Sequence, residues 1–194
     1  MDADKHELKD KLRAEIRTRL KIISPERRKS DSEKLCAKLK EQSFFQMAKA
    51  VLFFAPLPNE INIWPLLENA IAGDKIVALP CYDADGRIYK SRRVKNLHVE
   101  IISGQFGIRE PAAGCLEIPL DDLDLILVPG IAFDLCGNRL GRGKGFYDKL
   151  LENFGGTKCG IAFEEQLIKK VPVEPHDAKV HVIVTPKRCI KIAN

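Results

Sequence analysis

The feature that most constrains this chain is a series of short, nearly continuous runs of Val, Ile, Leu and Phe set between helical stretches. Ala50–Ala55 reads AVLFFA, Lys75–Leu79 KIVAL, Leu123–Val128 LDLILV, Lys158–Ala162 KCGIA and His181–Val184 HVIV. A strand with one wet face alternates apolar and polar residues, whereas a strand covered on both faces has no need to. Helical patterns lie between the runs, at Ile63–Ala72 (ended by Gly73) and at Lys144–Phe154. Strand–helix–strand alternation predicts an α/β fold: a mostly parallel sheet covered by helices on both faces. Pro80 is expected to stop the second strand, because proline cannot donate to a ladder. Arg87–Tyr89 reads as part of a hairpin after the turn Asp83-Ala84-Asp85-Gly86, and His181–Val184 as the last strand.

A helical pair is predicted ahead of the sheet. From about Asp4 to Ile23, the residues Leu8, Leu12, Ile16 and Leu20 recur every four positions and make one apolar stripe, with Lys and Arg crowding the other faces. Ser24-Pro25-Glu26 is a helix start, with Ser at the N-cap and Pro at the first helical position. The second helix runs to about Gln42 and turns Leu35 and Leu39 inward. A chain of 194 residues suits a single domain spanning 1–194, and no repeat or linker divides it.

Composition narrows the function classes. Each apolar run is too short to cross a bilayer as a helix, so no membrane role is expected. MDADKHELKDKLRAEI is charged where a secretory signal carries its apolar segment, which points to the cytoplasm. The six cysteines form no C-x-x-C pair and have no histidine at zinc-finger spacing, and they read as reduced thiols. The net charge of +5 fits a bound anion, although charge alone does not say which. A nucleic-acid surface would interleave Arg and Lys with stacking aromatics, and aromatics are only 7% of the chain.

The informative passage is LDLILVPGIAFDLCGNRLGRGKGFYDKLL, Leu123 to Leu151. A buried strand ends at Pro129-Gly130, and a loop follows with glycines at 137, 141, 143 and 145. Arg139, Arg142 and Lys144 place three cations within six residues of that loop. Glycines allow backbone N–H groups to approach an anion, and three cations can neutralise a polyphosphate. Open α/β sheets bind ligands at the carboxyl ends of their strands, which is where this loop begins. It is not a P-loop, because Lys144 is followed by Gly145 rather than Ser or Thr. Nor does Gly141-x-Gly143-x-Gly145 have the dinucleotide-binding spacing. On these rules a phosphate cradle and a solvated surface loop both stand.

The same passage, PGIAFDLCGNRLGRGKGFYD, resembles the signature of the 5-formyltetrahydrofolate cyclo-ligase family, G-x-R-L-G-x-G-x-G-[FY]-Y-D. Lys9 and Arg13 are similar to that family's first K-x-x-x-R, FFAPLPNEIN to its strand-end segment, and Pro80-Cys81-Tyr82 to the next strand end. FGIREP resembles G-I-x-E-P, and Val173–Thr185 resembles the closing P-x-E-x-H-D segment. The resemblance covers nearly the whole chain in the family's order.

It implies an enzyme that uses ATP to convert 5-formyltetrahydrofolate, with or without a polyglutamate tail, to 5,10-methenyltetrahydrofolate. It implies Mg2+ as cofactor and a monomer or weak homodimer. ATP would be held by Lys9, Arg13, Arg139, Leu140, Gly141, Arg142, Gly143, Lys144, Gly145, Phe146 and Tyr147, with Arg142 and Lys144 acting in catalysis. Ala55, Glu60, Tyr82 and Phe146 would border the folate, and Asp148 and Asp177 would bind the metal. On residue type alone, Lys9 and Arg13 share one helix face and could equally point into water. Glu60 could equally be a carboxylate at a helix N-terminus. Phe146 stands where many relatives carry Tyr, and His181 where relatives often carry Asp. His176 precedes Asp177 and could orient it. A phosphosugar or coenzyme A enzyme on a related sheet, or a nucleotide-binding regulatory module, would share the cationic loop. The first would not need both the Lys9/Arg13 pair and Asp148, and the second would not need Asp148 and Asp177.

Overall fold

The computed structural model describes residues 2–86, 88–104, 107–152, 154–175 and 177–193. Arg87, Phe106 and His176, each part of an expectation above, lie outside the described residues. Helices α1 (Asp2–Lys21) and α2 (Pro25–Lys40) form the expected pair, and a short α3 (Ser43–Met47) follows. Ser24 caps α2, its Oγ accepting from the N–H of Arg27 at 3.2 Å. The sheet then begins with β1 (Ala50–Leu52), α4 (Trp64–Ala72), β2 (Ile76–Asp83) and β3 (Ile88–Val94). Short strands β4 (Ile101–Ser103), β5 (Arg109–Pro111) and β6 (Glu117–Ile118) lead to β7 (Leu125–Pro129). A small hairpin, β8 (Ala132–Phe133) and β9 (Arg139–Leu140), precedes α5 (Phe146–Glu152). The remaining strands are β10 (Thr157–Ile161), β11 (Val182–Val184) and β12 (Cys189–Lys191).

Eight strands make the main sheet in the order β12-β11-β10-β7-β1-β2-β3-β6. The five central strands are parallel, with Val51 opposite both Val77 and Leu125; β12 and β3 run antiparallel to them, and β6 runs antiparallel to β3. Successive residues feed opposite faces. Val51, Val77, Leu125, Leu127 and Ile161 pack with α1, α2 and α4, whereas Ala50, Leu52, Ala78, Ile126 and Val128 pack with α5. The α/β expectation holds, with the helices divided unequally between the faces.

Three departures have physical causes. Pro80 does not stop β2, which runs on to Asp83 against β3. Ala78 turns its carbonyl to β1, accepting from Phe53 N at 2.9 Å, so Pro80 two residues on faces the same side. There β1 has already ended, and no ladder bond is lost to the missing N–H. The helix expected from Lys144 starts only at Phe146, because Gly143 and Gly145 take φ of +99° and +66°. The last strand is β12 rather than His181–Val184; its CIK stretch is too short and polar to read as a buried run.

The buried stripe of α1 is also rotated from the expected one. Leu8 is 48% exposed, while Lys9 and Arg13 are only 6% and 8% exposed, in line with Ile16, Leu20 and Ile23. Burial of those three apolar side chains contributes roughly 1.5–3 kcal/mol each and docks the helix. No helix among the described residues is long and apolar enough to cross a membrane.

Candidate active site

Strand order reverses between β1 and β7: from β1 the chain steps to β2 on one side, and from β7 to β10 and β11 on the other. A cleft of about 300 Å³ opens at the carboxyl ends of these strands. Phe54 and Ala55 line it from the end of β1, Pro80 from β2, and Pro129 and Gly130 from β7. Carboxyl ends at a switch point leave a crevice, because the two connections depart in opposite directions.

One wall is the cationic loop. The hairpin β8–β9 delivers Arg139, which is 5% exposed and donates to Asp148 Oδ1 at 2.6 Å. The Arg139 guanidinium lies 5.7 Å from the Tyr147 ring centroid. Its Nε–H is buried and has no acceptor among the described residues, which leaves a donor in the wall of the cleft. Arg142 reaches across the mouth to Glu60 Oε1 at 2.5 Å. Glu60 is held in turn, its Oε2 accepting from Leu57 N at 2.9 Å. Lys144 lines the cleft and is exposed. Arg13 donates its Nε–H to the carbonyl of Gly141 at 2.9 Å and packs its guanidinium against Gly143.

A second part of the lining is aromatic. Phe146 meets Tyr82 and Tyr89, both at 5.3 Å between centroids, and Tyr89 meets Tyr147 at 6.3 Å. Tyr82 and Tyr89 face each other in register across β2 and β3, 5.6 Å apart. Burial, with Glu60 and Tyr89 close by, pushes the Tyr147 phenol above its usual range. It is a neutral hydroxyl at physiological pH.

A cationic wall and an aromatic wall around one switch-point cleft suit a charged, flat-ringed ligand pair. The 5-formyltetrahydrofolate cyclo-ligase family model matches residues 5–186. The chain belongs to the 5-formyltetrahydrofolate cyclo-ligase family. It is 30% identical over 180 residues to the 5-formyltetrahydrofolate cyclo-ligase of Escherichia coli strain K12, covering 89% of this chain and 97% of that one. The solution structure of Aquifex aeolicus 5,10-methenyltetrahydrofolate synthetase superposes with a TM-score of 0.86 at 35% identity, over 96% of this chain and 94% of that one. A Mycoplasma pneumoniae 5,10-methenyltetrahydrofolate synthetase shares the fold, with a TM-score of 0.74 at 19% identity over 92% and 98% of the two chains.

As a member of the cyclo-ligase family the chain is an enzyme, and most of the residues singled out from its sequence converge. Ala55, Glu60, Arg139, Gly141, Arg142, Lys144, Gly145, Phe146, Tyr147 and Asp148 all line the cleft. Leu140 is buried behind it, and Tyr82 stands against Phe146. Lys9 and Asp177 are placed differently. Lys9 Nζ donates to Asp177 Oδ2 at 2.8 Å and to Glu174, and none of the three is among the residues lining the cleft. Burial works against its ammonium, but hydrogen bonds and charge from Asp177 and Glu174 prevail and hold its pKa above the usual lysine value. His181 Nδ1 accepts from Lys158 N at 3.2 Å, and burial lowers its pKa.

Metal-binding capacity in this cyclo-ligase family member rests on few carboxylates. Among the described residues no three His, Cys, Asp or Glu side chains cluster as a ready-made site. Magnesium does not require one, since it takes one or two carboxylates together with phosphate oxygens and water. Asp148, in the cleft wall beside the cations, fits that pattern; Asp177 holds Lys9.

Several supporting residues carry no sequence signal. Arg28 donates to the carbonyl of Asn59 at 2.7 Å and to that of Leu20 at 2.8 Å, fixing the loop that presents Glu60. Gln166 donates to Gly130 O at 2.7 Å and accepts from Phe163 N at 2.7 Å, tying the carboxyl end of β7 to that of β10. Tyr89 could have been found from its register with Tyr82. Arg28 and Gln166 act on backbone brought close only by folding.

Proposed function

We propose that the chain catalyses the ATP-dependent conversion of 5-formyltetrahydrofolate to 5,10-methenyltetrahydrofolate, releasing ADP and phosphate. The observation that carries this reading is that Arg139, Arg142 and Lys144 line one cleft together with Glu60 and the rings of Tyr89, Phe146 and Tyr147. The cations suit a triphosphate, and the rings with one carboxylate suit a pterin.

The formyl oxygen is a poor leaving group as it stands. It attacks the γ-phosphorus, and ADP departs. Nitrogen 10 then adds to the activated formyl carbon and gives up its proton, phosphate leaves, and the ring is closed. Catalysis of phosphoryl transfer is chiefly positioning and charge stabilisation. Arg142 and Lys144 supply positive charge at the transferring group, and Arg139, buttressed by Asp148, holds the chain of phosphates. Arg13 braces the loop at Gly141, and Lys9 adds charge behind it. Magnesium, held by Asp148 and the phosphates, would offset the charge that develops during transfer. Asp177 is the second candidate metal ligand and would first have to exchange its contact with Lys9. Phe146 and Tyr147 separate nucleotide from folate, while Glu60 hydrogen-bonds the pterin beside Tyr82 and Ala55. No Ser, Cys or Lys nucleophile is required.

The test is incubation of purified protein with 5-formyltetrahydrofolate, ATP and magnesium, following methenyl absorbance and ADP. Product formed in equal amounts with and without ATP would overturn the reading.

A further inference from the structure

One buried carboxylate joins the two stretches on which the proposed nucleotide site depends. Asp134 is 1% exposed, at the turn between β8 and β9. Its Oδ1 accepts from Cys136 N at 2.9 Å and from Asn138 N at 3.0 Å. Its Oδ2 accepts from Asn138 Nδ2 and from Val171 N, both at 2.9 Å. A desolvated carboxylate is costly to bury, and four N–H donors of good geometry offset that cost.

The arrangement does more than close a hairpin. Three of the bonds shape the turn that delivers Arg139. The fourth reaches Val171, which heads the segment carrying Glu174 and Asp177. Gly137 adds a second tie, its carbonyl accepting from Val180 N at 2.9 Å. Gly137 has φ of +80°, and a Cβ there would lie 2.5 Å from the carbonyl oxygen of Val180, so the two stretches meet backbone to backbone. Lys9 then closes the circuit by its contacts with Glu174 and Asp177.

We infer that Asp134 is a positioning residue for the ATP-dependent reaction: its carboxylate locks the Arg139 turn and the Val171–Asp177 segment into one relative placement. This rests on the reading of the cleft as an ATP site. An amide in its place keeps the shape but presents N–H groups to donors, so bonds to Asn138 and Val171 are lost.

The experiment compares wild type, Asp134→Asn and Asn138→Ala for melting temperature, for KM of ATP and of folate, and for binding of a non-hydrolysable ATP analogue. Asp134→Asn is expected to raise the KM for ATP and the analogue's Kd about ten-fold, with the folate KM within two-fold of wild type. Asn138→Ala removes a single bond and is expected to produce the same split, about three-fold, at a near-normal melting temperature. If Asp134→Asn does not fold, Asn138→Ala decides on the same criteria. Folded variants whose constants for ATP and folate stay at wild-type values, or rise together, overturn the role of Asp134 alone. A wild type without turnover overturns the proposed function and this inference with it.

Discussion

The guanidinium of Arg142 and the carboxylate of Glu60 meet at 2.5 Å across the mouth of the cleft, joining the cationic loop to the loop between β1 and α4. Each is proposed to serve a different substrate, so the pair must open before both can bind. Glu60→Gln frees Arg142 without changing shape. The folate KM is expected to rise about ten-fold or more, from the loss of a charged hydrogen bond worth roughly 1.5–3 kcal/mol, while the ATP KM holds or falls. Steady-state kinetics in each substrate check this. A rise confined to ATP would assign Glu60 to the nucleotide instead.

Arg142→Ala with Lys144→Ala is expected to lower kcat/KM by two or more orders of magnitude. The melting temperature should barely move, because both side chains are exposed and a surface ion pair such as Arg142–Glu60 is worth about 0–1 kcal/mol. Retained turnover in the folded double variant would remove the loop from the chemistry.

Asp148→Asn tests metal binding. Replacing a hard anionic oxygen by an amide should raise the magnesium concentration needed for half-maximal activity. Because Asp148 also accepts from Arg139 at 2.6 Å, some loss of ATP affinity is expected at saturating magnesium. An unchanged magnesium midpoint would leave only the bond to Arg139.

Lys9 couples function to stability. Its side chain is 8% exposed and that of Asp177 12%, so Lys9→Ala should destabilise the fold by on the order of 3 kcal/mol. Lys9→Glu should be worse, with three carboxylates together. The folded pKa of Lys9 lies above its free value of 10.5, so the pair's contribution is complete below that pH and is lost as pH rises through the folded value. The stability gap between wild type and Lys9→Ala should therefore be flat from neutrality to about pH 10 and narrow above it, as read by denaturant melts.

Thiol reactivity should follow burial. Cys136 is exposed, whereas Cys36 and Cys159 are buried, and burial pushes the Cys36 thiol up to about 11. Alkylation at pH 8 should modify Cys136 readily and spare Cys36 and Cys159 until the protein unfolds. Cys136→Ser should retain full activity, since its backbone N–H alone enters the Asp134 turn.

The central strands were legible because burial on both faces writes itself as continuous apolar runs, and about half of the cleft lining because Arg139–Asp148 is contiguous in the chain. What escaped depended on partners far along the sequence. Leu8 has the periodicity of a core residue but is exposed, since Glu174 and Asp177 draw Lys9 inward instead. Pro80 continues its strand instead of ending it, because the neighbouring β1 has already ended where its missing N–H would point. The edge strands β4, β5, β6 and β12 are two or three residues long, too short for any period to register.

The contact of Lys9 with Asp177 spans 168 positions of sequence. During synthesis the first helix emerges early, and Lys9 waits for Glu174 and Asp177 to leave the ribosome, whereas Arg13 has Asp10 within the same helix. Pairings of such long range form late, after loop closure has brought remote segments together. The docking of the first helix is therefore among the last contacts to be completed, together with β11 and β12, and a nascent chain stalled before Glu174 holds the strands from β1 to β10 but leaves Lys9 without its carboxylates.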